Sequence, residues 1–199
     1  RLFREITSTI IDTGTLEGAE MVKIMNNTFR DVKFAYANEM ALICKDMGLD
    51  AVKLIQAANQ EYIRDQIPLP SPGVGGACLT KDPYILMYSC EQIFHKPEIV
   101  SVSRKVNELI PLEIANEIDE YITAKGKFKD RIKIFIIGFA FKGSPETSDT
   151  RGSTTLDLLA GLRNKGFMDD TFFGYDPIVM KEEIQSFYVT PVGLKEGFK

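Results

Sequence analysis

The sequence predicts a mainly α-helical domain followed by a partial α/β domain built on a parallel sheet, and three observations carry that reading. From Glu17 to about Met47 apolar residues recur at helical spacing, as in Met21, Ile24, Met25, Phe29 and Val32, with no proline to interrupt them. A second long helical pattern runs from about Pro97 to Ala124, with Val102, Val106, Leu109 and Ile118 on it. After the polar linker Lys125-Gly126-Lys127 the period switches. Ile132-Lys133-Ile134-Phe135-Ile136-Ile137-Gly138 is a nearly continuous β-branched run, and a loop, a helix and a second strand follow it. That order is a βαβ unit, whose strands lie parallel.

The remaining elements follow in order. Thr9-Ile10-Ile11 reads as a short strand before the turn signal Asp12-Thr13-Gly14. The first long helix, single or two abutting ones, stops at Gly48, and Asp50 is placed to cap a helix over Ala51–Gln60. From Ile67 to Cys78 prolines and glycines forbid regular structure, and a long irregular loop inside a domain is usually functional. Thr80 or Asp82 can cap the next helix, with Pro83 in its first turn. In the second half, Ser153 to Lys165 reads as a helix ending at Gly166, and Thr171–Tyr175 as a strand ending at Asp176-Pro177.

Composition narrows the function. The chain has 199 residues, 44% hydrophobic and 26% charged, which suffices for a packed core in a soluble protein. A formal net charge of −4 argues against a nucleic-acid partner. No apolar run reaches the ~18 residues of a membrane span, so no membrane partner is expected. No secretory leader is visible, and the expected location is cytoplasmic. Three scattered cysteines and one histidine, His95, make neither a disulfide framework nor a metal site. The chain opens on Arg1 and closes on Gly197-Phe198-Lys199, as a piece of a longer protein would.

Cys78 is the first candidate for chemistry. It follows Gly75-Gly76-Ala77, where bare backbone lets a substrate come close, and precedes a helix N-terminus whose partial positive charge favours thiolate. Lys81 adds a cation. The plainer alternative is a small cysteine filling a loop corner; Cys44 and Cys90 sit in helical patterns and read as bystanders. Lys23 and Asn27 are spaced i, i+4 and share a helix face, where they could stabilise an oxyanion or simply be solvated. Asp82 is a base for water or a helix cap, and these roles are compatible. The segment Gly138-Phe139-Ala140-Phe141-Lys142-Gly143 follows a strand, where α/β sheets bind phosphates, but lacks the dinucleotide glycine spacing. There Phe141 could stack on a base and Lys142 could pair with a phosphate or hydroxyl. Asp176 is either a ribose-binding acid or an ordinary strand ending.

Taken together, Glu20-Met-Val-Lys23-Ile-Met-Asn-Asn27, Gly75-Gly76-Ala-Cys78-Leu-Thr-Lys81-Asp82-Pro, and Gly138-Phe-Ala-Phe141-Lys142 with Asp149-Thr-Arg151 resemble the UDP-glucose/GDP-mannose dehydrogenases. The resemblance implies three regions. Residues 1–16 would be the tail of an NAD-binding Rossmann domain, 17–124 a helical central domain whose long helix builds a homodimer, and 128–199 part of a Rossmann-like nucleotide-sugar-binding domain. It implies NAD as cofactor, a nucleotide sugar as substrate, and oxidation of the sugar C6 alcohol to a carboxylate in two steps. Cys78 would attack the aldehyde, Lys23 and Asn27 would stabilise the developing oxygen charge, and Asp82 would position water. Arg64, Leu69, Gly73, Gly75, Phe141 and Lys142 would contact substrate, Arg64 from the partner subunit, while Lys81 and Arg151 would touch the cofactor.

Several positions depart from the family pattern. The family's glutamate acid/base has no counterpart here, Thr80 stands where many members have proline, and Ala77 where some have histidine. The Lys142-to-Arg151 spacing is two residues longer than in the UDP-glucose enzymes. Ser71-Pro-Gly-Val-Gly-Gly76 and Asp82-Pro-Tyr84 lean toward the N-acetylhexosamine branch, such as UDP-N-acetylmannosamine dehydrogenase. Two rival readings remain. One is a non-catalytic dimerisation and nucleotide-binding module of the same fold; the other is a hydroxyacid-dehydrogenase-type helical domain, which requires no cysteine in a Gly-Gly loop.

Overall fold

The computed structural model describes residues 5–91 and 93–198. The first helix, α1, is a single element over Leu16–Asp46, capped by the Thr15 side chain on Gly18 N–H. Gly48, in the left-handed region at φ +69°, ends it. Asp50 caps α2 (Ala51–Asn59) by accepting from Lys53 N–H. The proline- and glycine-rich segment is irregular as expected, and α3 (Asp82–Glu91) and α4 (Glu98–Ala124) follow it. The Thr9–Ile11 strand does not form. Ile11 is 81% exposed, and none of the described strands offers these residues a partner edge. Residues 1–4 of the expected N-terminal tail lie outside the described residues.

The second half is the expected α/β unit. Strand β1 (Ile134–Ile137) pairs in parallel with β2 (Phe172–Tyr175), in the register Ile134 to Phe172 through Ile137 to Tyr175. Helix α5 (Thr154–Asn164), capped by Ser153, crosses between them. Besides the 3₁₀ turns Lys129–Arg131 and Asp169–Thr171, the sequence reading missed α6 (Lys181–Ser186) and β3 (Thr190–Pro191), which adds a third parallel strand beside β2.

One core unites these pieces. Ile136, Leu159, Leu162, Phe172, Ile184 and Val189 pack with Ala115 and Ile122 of α4, so the far half of α4 closes the α/β core while its near half packs on α1. Gly161 makes the α4–α5 approach close, because a Cβ there would stand 3.0 Å from that of Ala115.

Pro111 inside α4 shapes the neighbourhood of the irregular loop. Proline has no N–H to give the carbonyl four residues back, so Asn107 C=O loses its helical donor. The loop settles at this notch. A side chain on Gly73 would lie 3.1 Å from both Asn107 O and Pro111 Cδ.

Candidate active site

Helical periodicity builds the first wall. Lys23 and Asn27 occupy one face of α1, and both reach across to Asp82 at the start of α3. Lys23 Nζ donates to Asp82 Oδ2 at 2.9 Å and Asn27 Nδ2 donates to the same oxygen at 2.5 Å. Lys81 Nζ donates to the other carboxylate oxygen at 2.9 Å. Asp82 is buried while both lysines remain largely exposed.

This arrangement sets the protonation states. Burial alone would raise Asp82, but the hydrogen bonds from Lys81, Lys23 and Asn27, with the Lys23 charge, bring it down to about 2. The Asp82 hydrogen bond in turn holds Lys23 above the ordinary lysine value against partial desolvation, helped by the charges of Asp82 and Cys78. At neutral pH the pair is carboxylate and ammonium. A carboxylate with so low a pKa is a weak base, so Asp82 is better suited to hold donors and orient a water than to take its proton.

Cys78 forms the second wall, one turn ahead of α3. Its carbonyl accepts from Asp82 N–H at 2.8 Å and from Lys81 N–H at 3.2 Å, which ties the cysteine to the cluster through the backbone. The thiol is exposed, Cys44 is half-buried and Cys90 is buried. Arg151 precedes Gly152, whose carbonyl accepts from Gly76 N–H at 2.9 Å, so the backbone brings Arg151 to the Cys78 loop.

The glycines before Cys78 have a role that the sequence did not reveal. A Cβ on Gly75 would fall 2.2 Å from Gly152 O, and one on Gly76 would fall 2.5 Å from the Phe141 ring. Gly76 N–H donates to Gly152 O at 2.9 Å. In the direction a side chain would take, these residues meet protein rather than an open cleft. The half-buried Phe141 ring therefore lies against Gly76, and Lys142 Nζ stands 5.4 Å from the centre of that ring. Arg151 is exposed and forks onto Asp149, which it brings down to about 2. Asp176 accepts from the N–H groups of Phe139, Ala140, Ile178 and Val179, so its carboxylate clamps the turns after β1 and β2.

Arg64 and Leu69 lie apart from this cluster. Arg64 is exposed between α2 and the loop, and Leu69 lines a shallow hollow against Gln56, Ala57, Asn59 and Gln60. Asn59 pins the loop there by pairing with both N–H and C=O of Ile67. A larger groove, about 970 Å³, lies at the far end of α4 between Tyr121, Phe128 and Ile134, and none of the sequence-predicted site residues lines it.

Sequence reasoning missed a buried polar set beneath the loop. Asp31, Asn38, Arg104 and Asn107 are each 1% exposed. Arg104 donates to Asp31 Oδ1 (2.9 Å), Leu79 O (3.0 Å) and Val74 O (3.0 Å). Asn107 Nδ2 donates to Asp31 Oδ1, and Asn107 Oδ1 accepts from Asn38 Nδ2 at 3.0 Å; the Asn38 oxygen in turn accepts from Ser71 N–H at 2.8 Å. The available signal was the continued spacing Lys23, Asn27, Asp31 on one face of α1.

The fold and the site define a class: a helical central domain joined to a Rossmann-like unit, with a cysteine loop at their junction. Residues 17–109 match the model of the UDP-glucose/GDP-mannose dehydrogenase family, central domain. It is 36% identical over 179 residues to the UDP-N-acetyl-D-mannosamine dehydrogenase of Pyrococcus horikoshii, covering 90% of this chain and 41% of that protein. It is 29% identical to the UDP-N-acetyl-D-glucosamine 6-dehydrogenase of Pseudomonas aeruginosa, over 96% of this chain and 44% of that one. A solved structure of the Pyrococcus horikoshii UDP-D-ManNAc dehydrogenase superposes with a TM-score of 0.70 at 36% identity, over 80% of this chain and 36% of that chain. The chain thus spans less than half the length of these relatives.

Proposed function

We propose that the protein to which this chain belongs is an NAD-dependent nucleotide-sugar 6-dehydrogenase, which oxidises a sugar C6 alcohol to the uronate through Cys78. The observation that carries the reading is the convergence of Lys23, Asn27 and Lys81 on Asp82, one helical turn from an exposed cysteine. A UDP-N-acetylhexosamine is favoured over UDP-glucose, which the names of the similar proteins and the Ser71–Gly76 loop support. A cytoplasmic location belongs to the same proposal; among the described residues no helix is long and apolar enough to cross a membrane.

The side chains suit the chemistry. The Cys78 sulfur adds to the C6 aldehyde, forming a C–S bond and leaving charge on the carbonyl oxygen. Lys23, held as ammonium, and the Asn27 amide supply the positive charge and the donor for that oxygen. Two-electron oxidation of the thiohemiacetal leaves a thioester, and water, oriented by Asp82, releases the carboxylate and returns the thiol. Exposed Lys81 and Arg151 flank the cysteine and fit an anionic group such as the pyrophosphate of NAD. When bound, NAD supplies the hydride acceptor for both oxidations.

A homodimer through α1 completes the proposal. Val22, Met25, Phe29, Tyr36 and Ile43 are exposed along α1 at successive spacings of three, four, seven and seven residues, the heptad pattern of a helix seam. Phe29→Glu is expected to convert the dimer to monomer in sedimentation velocity. The catalytic test supplies the intact protein with NAD and UDP-N-acetylmannosamine, UDP-N-acetylglucosamine or UDP-glucose. Two NADH per N-acetylhexosamine, with Cys78→Ser stopping before the carboxylate, is the expected result. Full uronate production by Cys78→Ser would overturn the cysteine mechanism.

A further inference from the structure

The proposed reaction needs two walls that come from distant parts of the chain. Lys23 and Asn27 belong to α1, and Cys78 to the loop before α3. At the surface they meet through Asp82 and two exposed lysines, and long exposed side chains hold geometry loosely. Something stiffer must set how far the loop stands from the helix. Catalytic geometry tolerates errors of only ~0.5 Å.

Arg104 has the required contacts. It heads the set of largest fully buried side chains, at 1% exposure, and its planar fork bonds both walls at once. One nitrogen donates to Asp31 Oδ1, on the same face of α1 as Asn27 and one turn further along. The same nitrogen donates to Leu79 O, the residue after Cys78, and the other donates to Val74 O, four residues before it. The loop is gripped on both sides of the cysteine by a group anchored to the helix that carries Lys23 and Asn27. Glu108 lies 3.2 Å from the remaining nitrogen, as an ion pair off the line of a hydrogen bond. Asn107, one turn along α4, donates to both Asp31 Oδ1 and Asp31 O and fixes the anchor itself.

We infer that Arg104 is a positioning residue, setting the register between the Cys78 loop and the Lys23–Asn27 face of α1; this rests on the reaction proposed above for its purpose, though not for its geometry. Lysine at 104 keeps the charge but offers no planar fork, so it cannot hold both carbonyls and Asp31 together.

A short maleimide–succinimidyl ester reagent tests this, because it links the Cys78 thiol to a nearby amine and the linked peptides are resolved by mass. Two products are expected in the unmodified chain. Cys78–Lys81 lies within one loop turn, while Cys78–Lys23 spans the two walls. In Arg104→Lys the Cys78–Lys23 product is expected to fall several-fold while Cys78–Lys81 holds, a change of ratio that lower stability alone does not produce. An unchanged ratio in the folded variant would overturn the inference. If Arg104→Lys does not fold, Asp31→Asn serves, since it keeps the shape of the anchor but removes its charge; the same drop is expected, and an unchanged ratio counts against the inference equally. In the intact enzyme, Arg104→Lys is expected to lower kcat by on the order of 10–100-fold with little change in KM, and a wild-type kcat would also overturn the inference. Should Cys78→Ser keep full activity, the reaction reading falls while the cross-link ratio still decides the role of Arg104.

Discussion

Two carboxylates on the loop side of α1 live under different rules. Asp82 is buried but faces two exposed lysines and an amide, and sits at about 2. Asp31 is buried among Arg104, Asn107 and backbone, and there burial prevails and pushes it up, although Arg104 and Asn107 pull the other way. Its second oxygen, Oδ2, has no hydrogen-bond partner. The outer cluster keeps mobile charged groups where a ligand could meet them. The inner one spends its hydrogen bonds on the shape of the loop. The difference teaches that a strongly ionised carboxylate needs donors more than it needs solvent, and that a charged group can serve architecture alone.

The sharpest break is at the inner cluster. Arg104→Ala leaves Asp31 buried without its cation and frees two loop carbonyls, and is expected to cost about 3–5 kcal/mol in urea unfolding. Gly75→Ala comes next, since its methyl would need the space of Gly152 O; about 1–3 kcal/mol is expected, read in the same way. The outer cluster is smaller in stability and tied to pH. Because the folded pKa of Asp82 lies below its ordinary value of 3.8, its contribution is present above pH 3.8 and is lost as pH falls toward 2. On the order of 1–2 kcal/mol is expected to disappear over that window, and Asp82→Asn should flatten it in acid unfolding curves. The smallest effect belongs to Arg151→Gln, whose exposed ion pair with Asp149 is expected to leave the thermal midpoint unmoved. A large shift there would mean that the surface pair shares the architectural role of Arg104.

What could be read from the sequence follows the reach of each signal. Asp50 and Ser153 were legible as caps or helix starts because capping is decided within four residues, and the βαβ order because period is local. Lys23 and Asn27 were legible as one face for the same reason. Thr9–Ile11 has strand composition, but a strand also needs an edge to pair with, which local composition does not report. The two-residue β3 is too short to show a period and exists only through β2. In sequence, Arg104 and Asn107 are polar positions on a long helix with nothing local to mark them as buried. Their burial depends on a loop some thirty residues earlier folding over them, and on Pro111 opening the notch into which Gly73 fits.

The seam between Gly75-Gly76 and Gly152 bears on how such chains diverge. These positions are constrained by the docking of one half of the molecule on the other, whether or not a thiol follows them. A descendant that had lost Cys78, and with it the chemistry proposed for that thiol, would still be held to glycine there by folding alone. In a related genome, the Gly-Gly pair marks the architecture, and only the residue two places beyond it bears on the proposed reaction.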